Sequence, residues 1–247
     1  MSLYEQIVND GLEYVNGLTT TWASNTTLTI GTGQCRDSTN VFDIFVNTPL
    51  TLSLSSNGVN GLDTGTVAPN TLYYEYVIYD NTNNLPTASL LSLSNTLPYR
   101  PGGYSSFALI GAWATNSSSQ FYLMYQYGIN SWRRLTYDAP VPVLTSGTAT
   151  TATAVPLGAV VPAFSNIDVT LRTNFVPATA GHQLIVVPHG SSSTTTVATI
   201  GQVASVSISG DFECPAILNS GVPTVDYFVT NGSDLANLRV KSFVMNL

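Results

Sequence analysis

The chain has 247 residues, enough for one large or two ordinary domains, each able to bury a core. Only 9% of the residues are charged, against roughly 25% in an average soluble domain, and Thr, Ser, Asn and Gly stand where Lys and Glu usually do. A net charge of -7 argues against binding a nucleic-acid backbone, and no apolar run reaches the roughly 18 to 20 residues of a membrane helix.

The N-terminal "MSLYEQIVNDGLEYVNG" is acidic and lacks the basic start of a secretory signal. Leu3, Tyr4, Ile7, Val8, Leu12 and Val15 recur at helical spacing, and Asn16-Gly17 supplies a stop, so the spacing predicts a short amphipathic helix over residues 2–16. It is the only good helical signal in the sequence. A lone apolar stripe has to pack on a sheet or on another subunit, so Leu3, Ile7, Val8, Leu12 and Val15 form a candidate docking stripe, and residues 1–17 a candidate attachment segment.

From Leu18 onward the pattern is strand, turn, strand. "TTLTIGTG", "NVFDIFVN" and "LTLSLSSNG" alternate and end in Asn, Gly or Pro, which permit a reversal. "TLYYEYVIYD" is dense in aromatic and β-branched residues, "SSFALIGAWAT" and "SQFYLMYQYG" read as a hairpin across "NSSS", and "SWRRLTYD" closes a domain over residues 18–138. The uncharged, proline-containing "APVPVLTSGTATTATAVPLGAVVPA" reads as edge strand and linker. Beyond it "NIDVTLRTNFVP", "HQLIVVPHG", "TTVATIGQVASVSISGDF", "TVDYFVTN" and "LRVKSFVMNL" predict a second domain over residues 139–247, with the last strand paired inside its sheet. The expected fold is all-β: two antiparallel β-sandwich, jelly-roll-like domains with a short N-terminal helix.

Asp63-Thr64-Gly65 is the tripeptide that carries the catalytic carboxylate of aspartic proteases, and Leu109-Ile110-Gly111 matches the apolar segment beneath such a site. Catalysis of that type needs two carboxylates sharing one proton, and the chain holds a single triplet, which dimerisation would have to double. The preceding "SSNGVNG" has turn composition, so Asp63 is expected to bond nearby amides at a hairpin corner. His182 and His189 flank "QLIVVP" at an odd separation, on opposite faces of one strand, which disfavours joint metal ligation. No Gly-x-Ser-x-Gly elbow is present, "DNTNN" at 80–84 reads as a turn rather than a calcium loop, and Asn25, Asn116 and Asn231 fit Asn-x-Ser/Thr as chance matches. Cys35 and Cys214 are expected to be unlinked, small buried groups. No enzyme activity, cofactor or metal is expected.

Tyr73, Tyr74, Tyr76 and Tyr79, with Tyr122, Tyr125 and Tyr127, alternate along two strands, so some of them are expected to face outward as a subunit interface or a glycan-stacking face. Arg133 and Arg134 are expected to pair with carboxylates or with a neighbouring chain.

"TTWASNTTLTIGTGQCRDSTNVFDI", "GLDTGTVAPNTLYYEYVIYD", "PTASLLSLSNTLP" and "YSSFALIGAWATNSSSQF", together spanning about residues 19–127, resemble a module of structural proteins of tailed bacteriophages, of the tail-fibre, head-fibre or decoration type. The closing "VDYFVTNGSDLANLRVKSFVMNL" is similar, more loosely, to the last strands of phage fibre domains. The resemblance implies a non-enzymatic virion component, homotrimeric in many members, in which Gly61 to Gly65 is a turn without protease activity. Its expected partners are other copies of itself, phage capsid or tail proteins and a host surface glycan. The implied location is the virion surface, after synthesis in the host cytoplasm. The N-terminal helix is the departure from that pattern.

Overall fold

The computed structural model describes residues 15–82, 85–128, 130–165, 167–192 and 197–247. The regular elements among them are all strands: β1 (Val15–Gly17), β2 (Thr20–Ser24), β3 (Thr27–Ile30), β4 (Gly33–Arg36), β5 (Asp43–Val46), β6 (Leu50–Ser53), β7 (Gly61–Leu62), β8 (Leu72–Tyr79), β9 (Ala88–Ser92) and β10 (Ser106–Ala114). They continue with β11 (Met124–Tyr127), β12 (Trp132–Gly147), β13 (Thr153–Pro156), β14 (Ile167–Val176), β15 (Gln183–Pro188), β16 (Val197–Ile200), β17 (Ile208–Asn219), β18 (Val222–Val229) and β19 (Leu235–Asn246). The registers described are antiparallel, except that β7 runs parallel to β9.

The chain forms two compact units, one reaching Leu135 and including Met245–Leu247, the other Thr136–Val244. In the first unit the sheets are β1-β4-β5, β2-β3-β6 and β10-β8-β9-β7. The axis of the last is β8, "LYYEYVIY", hydrogen-bonded on both edges, to β10 and to β9. Seven successive residues of β8 are buried, so both of its faces are covered. That is why an aromatic run that looks half-exposed in sequence lies in the core: Tyr76 meets Phe107 edge-on at 5.7 Å, and Trp113 meets Phe121 at 6.3 Å.

In the second unit the order is β12-β19-β14-β17-β18-β15-β16, with β13 added to β18. β14 alternates strictly: Ile167, Val169, Leu171, Thr173 and Phe175 point inward, while Asp168, Thr170, Arg172 and Asn174 point outward. Each large apolar side chain so buried contributes about 1.5–3 kcal/mol. A one-residue slip would expose all of them, so the pattern fixes the register.

Several expectations are corrected. Residues 1–14, with Leu3, Ile7, Val8 and Leu12 of the expected helix, lie outside the described residues, whereas Val15 and Asn16 are extended in β1, Val15 buried opposite Cys35. "SSFALIGAWAT" and "SQFYLMYQYG" meet only at the Thr115–Phe121 bridge and then part: β10 joins β8, and β11 joins β12. Residues 139–147 of the expected linker belong to the 16-residue β12. Pro140 and Pro142 are tolerated there because β11, with four residues, can cover only part of one edge of the 16-residue β12 and leaves the rest of that edge without a ladder partner.

Candidate functional site

Asp63 follows the two-residue β7, and its carboxylate is fully engaged. Oδ1 accepts the Thr64 N–H at 2.7 Å, and Oδ2 accepts the Ser92 hydroxyl at 2.5 Å and the Tyr99 N–H at 3.1 Å. Its own N–H reaches the Leu91 carbonyl. The turn is not the expected hairpin corner, since β7 runs parallel to β9 and β9 lies between it and β8; these bonds tie it to the loop after β9, so the triplet acts as a loop anchor. Gly65, at φ +77°, lets the chain turn away.

The second half of the protease-like pattern has a different role. β10 and β8 pair evenly up to Leu109, opposite Tyr76, and resume at Gly111, opposite Glu75, leaving Ile110 as the extra residue of a bulge. The freed Ile110 carbonyl accepts Arg133 Nη1 at 2.8 Å, and Gly111 leaves room for Glu75: a Cβ there would stand 2.5 Å from Glu75 Oε2.

Arg133 and Glu75 are both fully buried. Arg133 does not spend its hydrogen bonds on a carboxylate, as expected from sequence, but on the carbonyls of Gly17, Leu18, Ile110 and Asn130 at 2.7–3.2 Å. Burial pushes the Glu75 carboxyl up to about 7, against the opposing effects of the Thr20 hydroxyl at 2.8 Å, the Arg133 charge and the Trp113 indole. The indole acts from a position that satisfies neither Trp113 Nε1 nor Glu75 Oε2 as a full hydrogen bond. Nearby, Gln126 Oε1 accepts the Thr20 N–H at 3.1 Å while its Nε2 is buried without a partner.

This polar interior holds one hairpin in place. Along β11 and the start of β12, Met124, Arg133 and Leu135 are buried, whereas Tyr125, Tyr127 and Trp132 are exposed at 46%, 56% and 49%. The strands are neighbours in one sheet, so the three rings share an outward face, joined by the half-buried Arg134. Gly128, at φ +88°, closes the turn against Trp132, where a Cβ would stand 2.4 Å from the Trp132 carbonyl and 3.3 Å from its ring.

The expected tyrosine face therefore divides. Tyr73, Tyr74 and Tyr76 are core residues, Tyr79 and Tyr122 are half-buried, and only Tyr125 and Tyr127 are exposed. Trp132 was missed. Its signal is the turn-forming Gly-Ile-Asn-Ser between Tyr127 and Trp132, hidden when the hairpin is assigned one turn earlier.

The remaining candidates are structural. His182 Nδ1 pairs with the buried Asp234 at 2.8 Å and His189 Nδ1 with Asp226 at 2.7 Å, so the two histidines fasten the ends of β15 separately. Asp80 caps its own turn by accepting the N–H groups of Thr82 and Leu85; Asn83 and Asn84 lie outside the described residues. Cys35 and Cys214 are free, buried thiols, each pushed up to about 12 by burial. Among the described residues no cluster of His, Cys, Asp and Glu has metal-binding geometry, and no helix is long and apolar enough to cross a membrane. The chain matches no protein-family model and no curated protein.

Proposed function

We propose that the chain is a non-enzymatic bacteriophage virion structural protein, a fibre or capsid decoration protein, that assembles through contacts between copies on the particle surface. In this reading each compact unit is a β-sandwich of jelly-roll type, the segment ahead of β1 attaches to capsid or tail proteins, and the assembly is a homotrimer. The single observation that carries it is the face of Tyr125, Tyr127 and Trp132. Three large rings held outward by a braced hairpin, on a chain with so few charges, make an apolar patch of the kind that marks an association surface. Phe45, half exposed on β5, and Val41, at 62%, add apolar surface in the same unit. The phage resemblance of residues 19–127 supplies the biological setting.

The test is sedimentation of the purified chain, alone and with phage capsids, for the wild type and a Tyr127→Ser/Trp132→Ser variant. The expected result is a discrete oligomer that binds capsids and is weakened in the variant. A chain that stays monomeric at high concentration and ignores capsids overturns the reading.

A second reading, a glycan-binding adhesin, uses the same rings for sugar stacking, which Trp132 favours by its flat exposed surface. It is distinguished by binding of the isolated chain to host cells, lost with Trp132→Ser. The remote protease alternative rests on Asp63, whose carboxylate is taken up by a hydroxyl and two amides. Peptide cleavage lost in Asp63→Asn would revive it.

A further inference from the structure

The loop anchored by Asp63 has a shape of its own. Leu97, Pro98, Tyr99, Arg100, Pro101 and Tyr104 line an open cleft of about 440 Å3, on the scale of a small-ligand site. Its walls are fixed from several sides. Ser94 Oγ accepts the Leu97 N–H, the Tyr76 hydroxyl donates to the Ser94 carbonyl, Asp63 holds the Tyr99 N–H, and the Tyr104 hydroxyl donates to the Pro86 carbonyl. Gly103, at φ +93°, makes the bend, and a Cβ there would strike Leu85 at 2.6 Å. A loop with this many ties and two prolines loses little freedom when it takes up a ligand.

Its chemistry is set by two side chains. The Arg100 guanidinium lies 4.9 Å over the Phe107 ring, which orients it, and no carboxylate pairs with it among the described residues. Lys and Arg total seven in the chain. Arg36, Arg172 and Lys241 are engaged by Asp43 and Asp211, and Arg133 is buried on carbonyls. Beside Arg100, Tyr99 is 70% exposed, its ring offered to solvent. The carboxylates near the cleft are not free to fill the place of the anion. Asp63 is occupied as described, and Asp80, whose charge acts on Tyr104, already accepts from Thr82 and Leu85.

We infer that the Leu97–Tyr104 cleft is a binding site for a carboxylate-bearing saccharide, with Arg100 taking the carboxylate and Tyr99 stacking on the sugar ring. A planar guanidinium suits a carboxylate bidentately, and a bare aromatic ring beside it suits the C–H face of a pyranose more than an extended acidic peptide. None of the cleft's residues belongs to the hairpin face, so the inference stands or falls independently of the assembly proposed above.

The test is calorimetric or NMR titration of the full chain with two acidic probes, a galacturonic acid oligosaccharide and sialyllactose, which distinguish a uronic from a sialic source. Lactose and maltotetraose serve as neutral controls and an oligoglutamate peptide as the acidic non-sugar control. Binding of either acidic sugar is expected, weakened about tenfold or more by Arg100→Gln and by Tyr99→Ala, and falling as salt rises. Both substitutions fall on exposed or half-exposed side chains, and unchanged circular dichroism and melting would show that the fold is intact. Absence of binding to both acidic sugars, equal binding of the neutral sugars, preference for the peptide, or binding indifferent to Arg100→Gln would each overturn the inference.

Discussion

The two units differ in the charges they bury. The first buries Glu75 and Arg133 completely, each at 0% exposure, in a core that also leaves Trp113 Nε1 and Gln126 Nε2 without full partners. The second buries carboxylates, Asp226 beside His189 and Asp234 beside His182, but keeps its cations Arg172, Arg239 and Lys241 out of the core. Asp211 sits opposite Arg172 on neighbouring strands, receives two hydrogen bonds from it at 2.8 and 3.1 Å and one from Lys241 at 2.5 Å, and its carboxyl is lowered to about 2 by those two cations. A partner removed from a buried pair leaves an uncompensated group, whereas a surface pair is replaced by water. The contrast identifies the first unit as the one that depends on a buried cation.

All three tryptophans, Trp22, Trp113 and Trp132, belong to the first unit, so fluorescence reports on it selectively. The largest effect is expected from Arg133→Met, which strips four carbonyls of their donor and leaves Glu75 without its cation. About 3–5 kcal/mol of stability should be lost, read as an early fluorescence transition in urea.

The next effect is one of pH. The Glu75 carboxyl titrates near 4.5 when unfolded and about 7 when folded. Below the lower value both states carry the proton, and between the two only the folded state does. Stability therefore falls as pH rises through this window and levels off above about 7, by about 3 kcal/mol at most. Glu75→Gln should flatten that slope; a slope unchanged in the variant would assign it to other groups.

Gly111→Ala should cost about 1–3 kcal/mol, because the new methyl meets the Glu75 carboxylate. In a Glu75→Ala background much of that penalty should vanish, and additive losses would locate the strain elsewhere. The smallest effect belongs to the outer cluster. Asp211→Asn should change stability by about 1 kcal/mol or less, fading at high salt, with tryptophan fluorescence unmoved.

The same contrast decides what the sequence makes legible. β14 is written plainly, since "IDVTLRTNFV" alternates and each inward residue is apolar or Thr. β8 is not. Whether Tyr74 faces core or water depends on what covers the second face of its sheet, which no local period records. The Asp63 turn follows from its Asn- and Gly-rich approach, but its bond to Tyr99, 36 residues later, does not. The role of Arg133 was misread for a related reason. Its acceptors are carbonyls from three separate parts of the chain, one of them freed by a bulge that exists only in register with β8. Arg100 carried no signal beyond its scarcity among cations.

Each unit contains one cysteine, Cys35 in the first and Cys214 in the second, with a thiol held almost wholly un-ionised at neutral pH. Alkylating reagents should thus ignore the native chain and mark each sulfur only when its surroundings come apart. The molecule carries a separate chemical clock for the opening of each half, and mass spectrometry of the tagged peptides would show which half yields first.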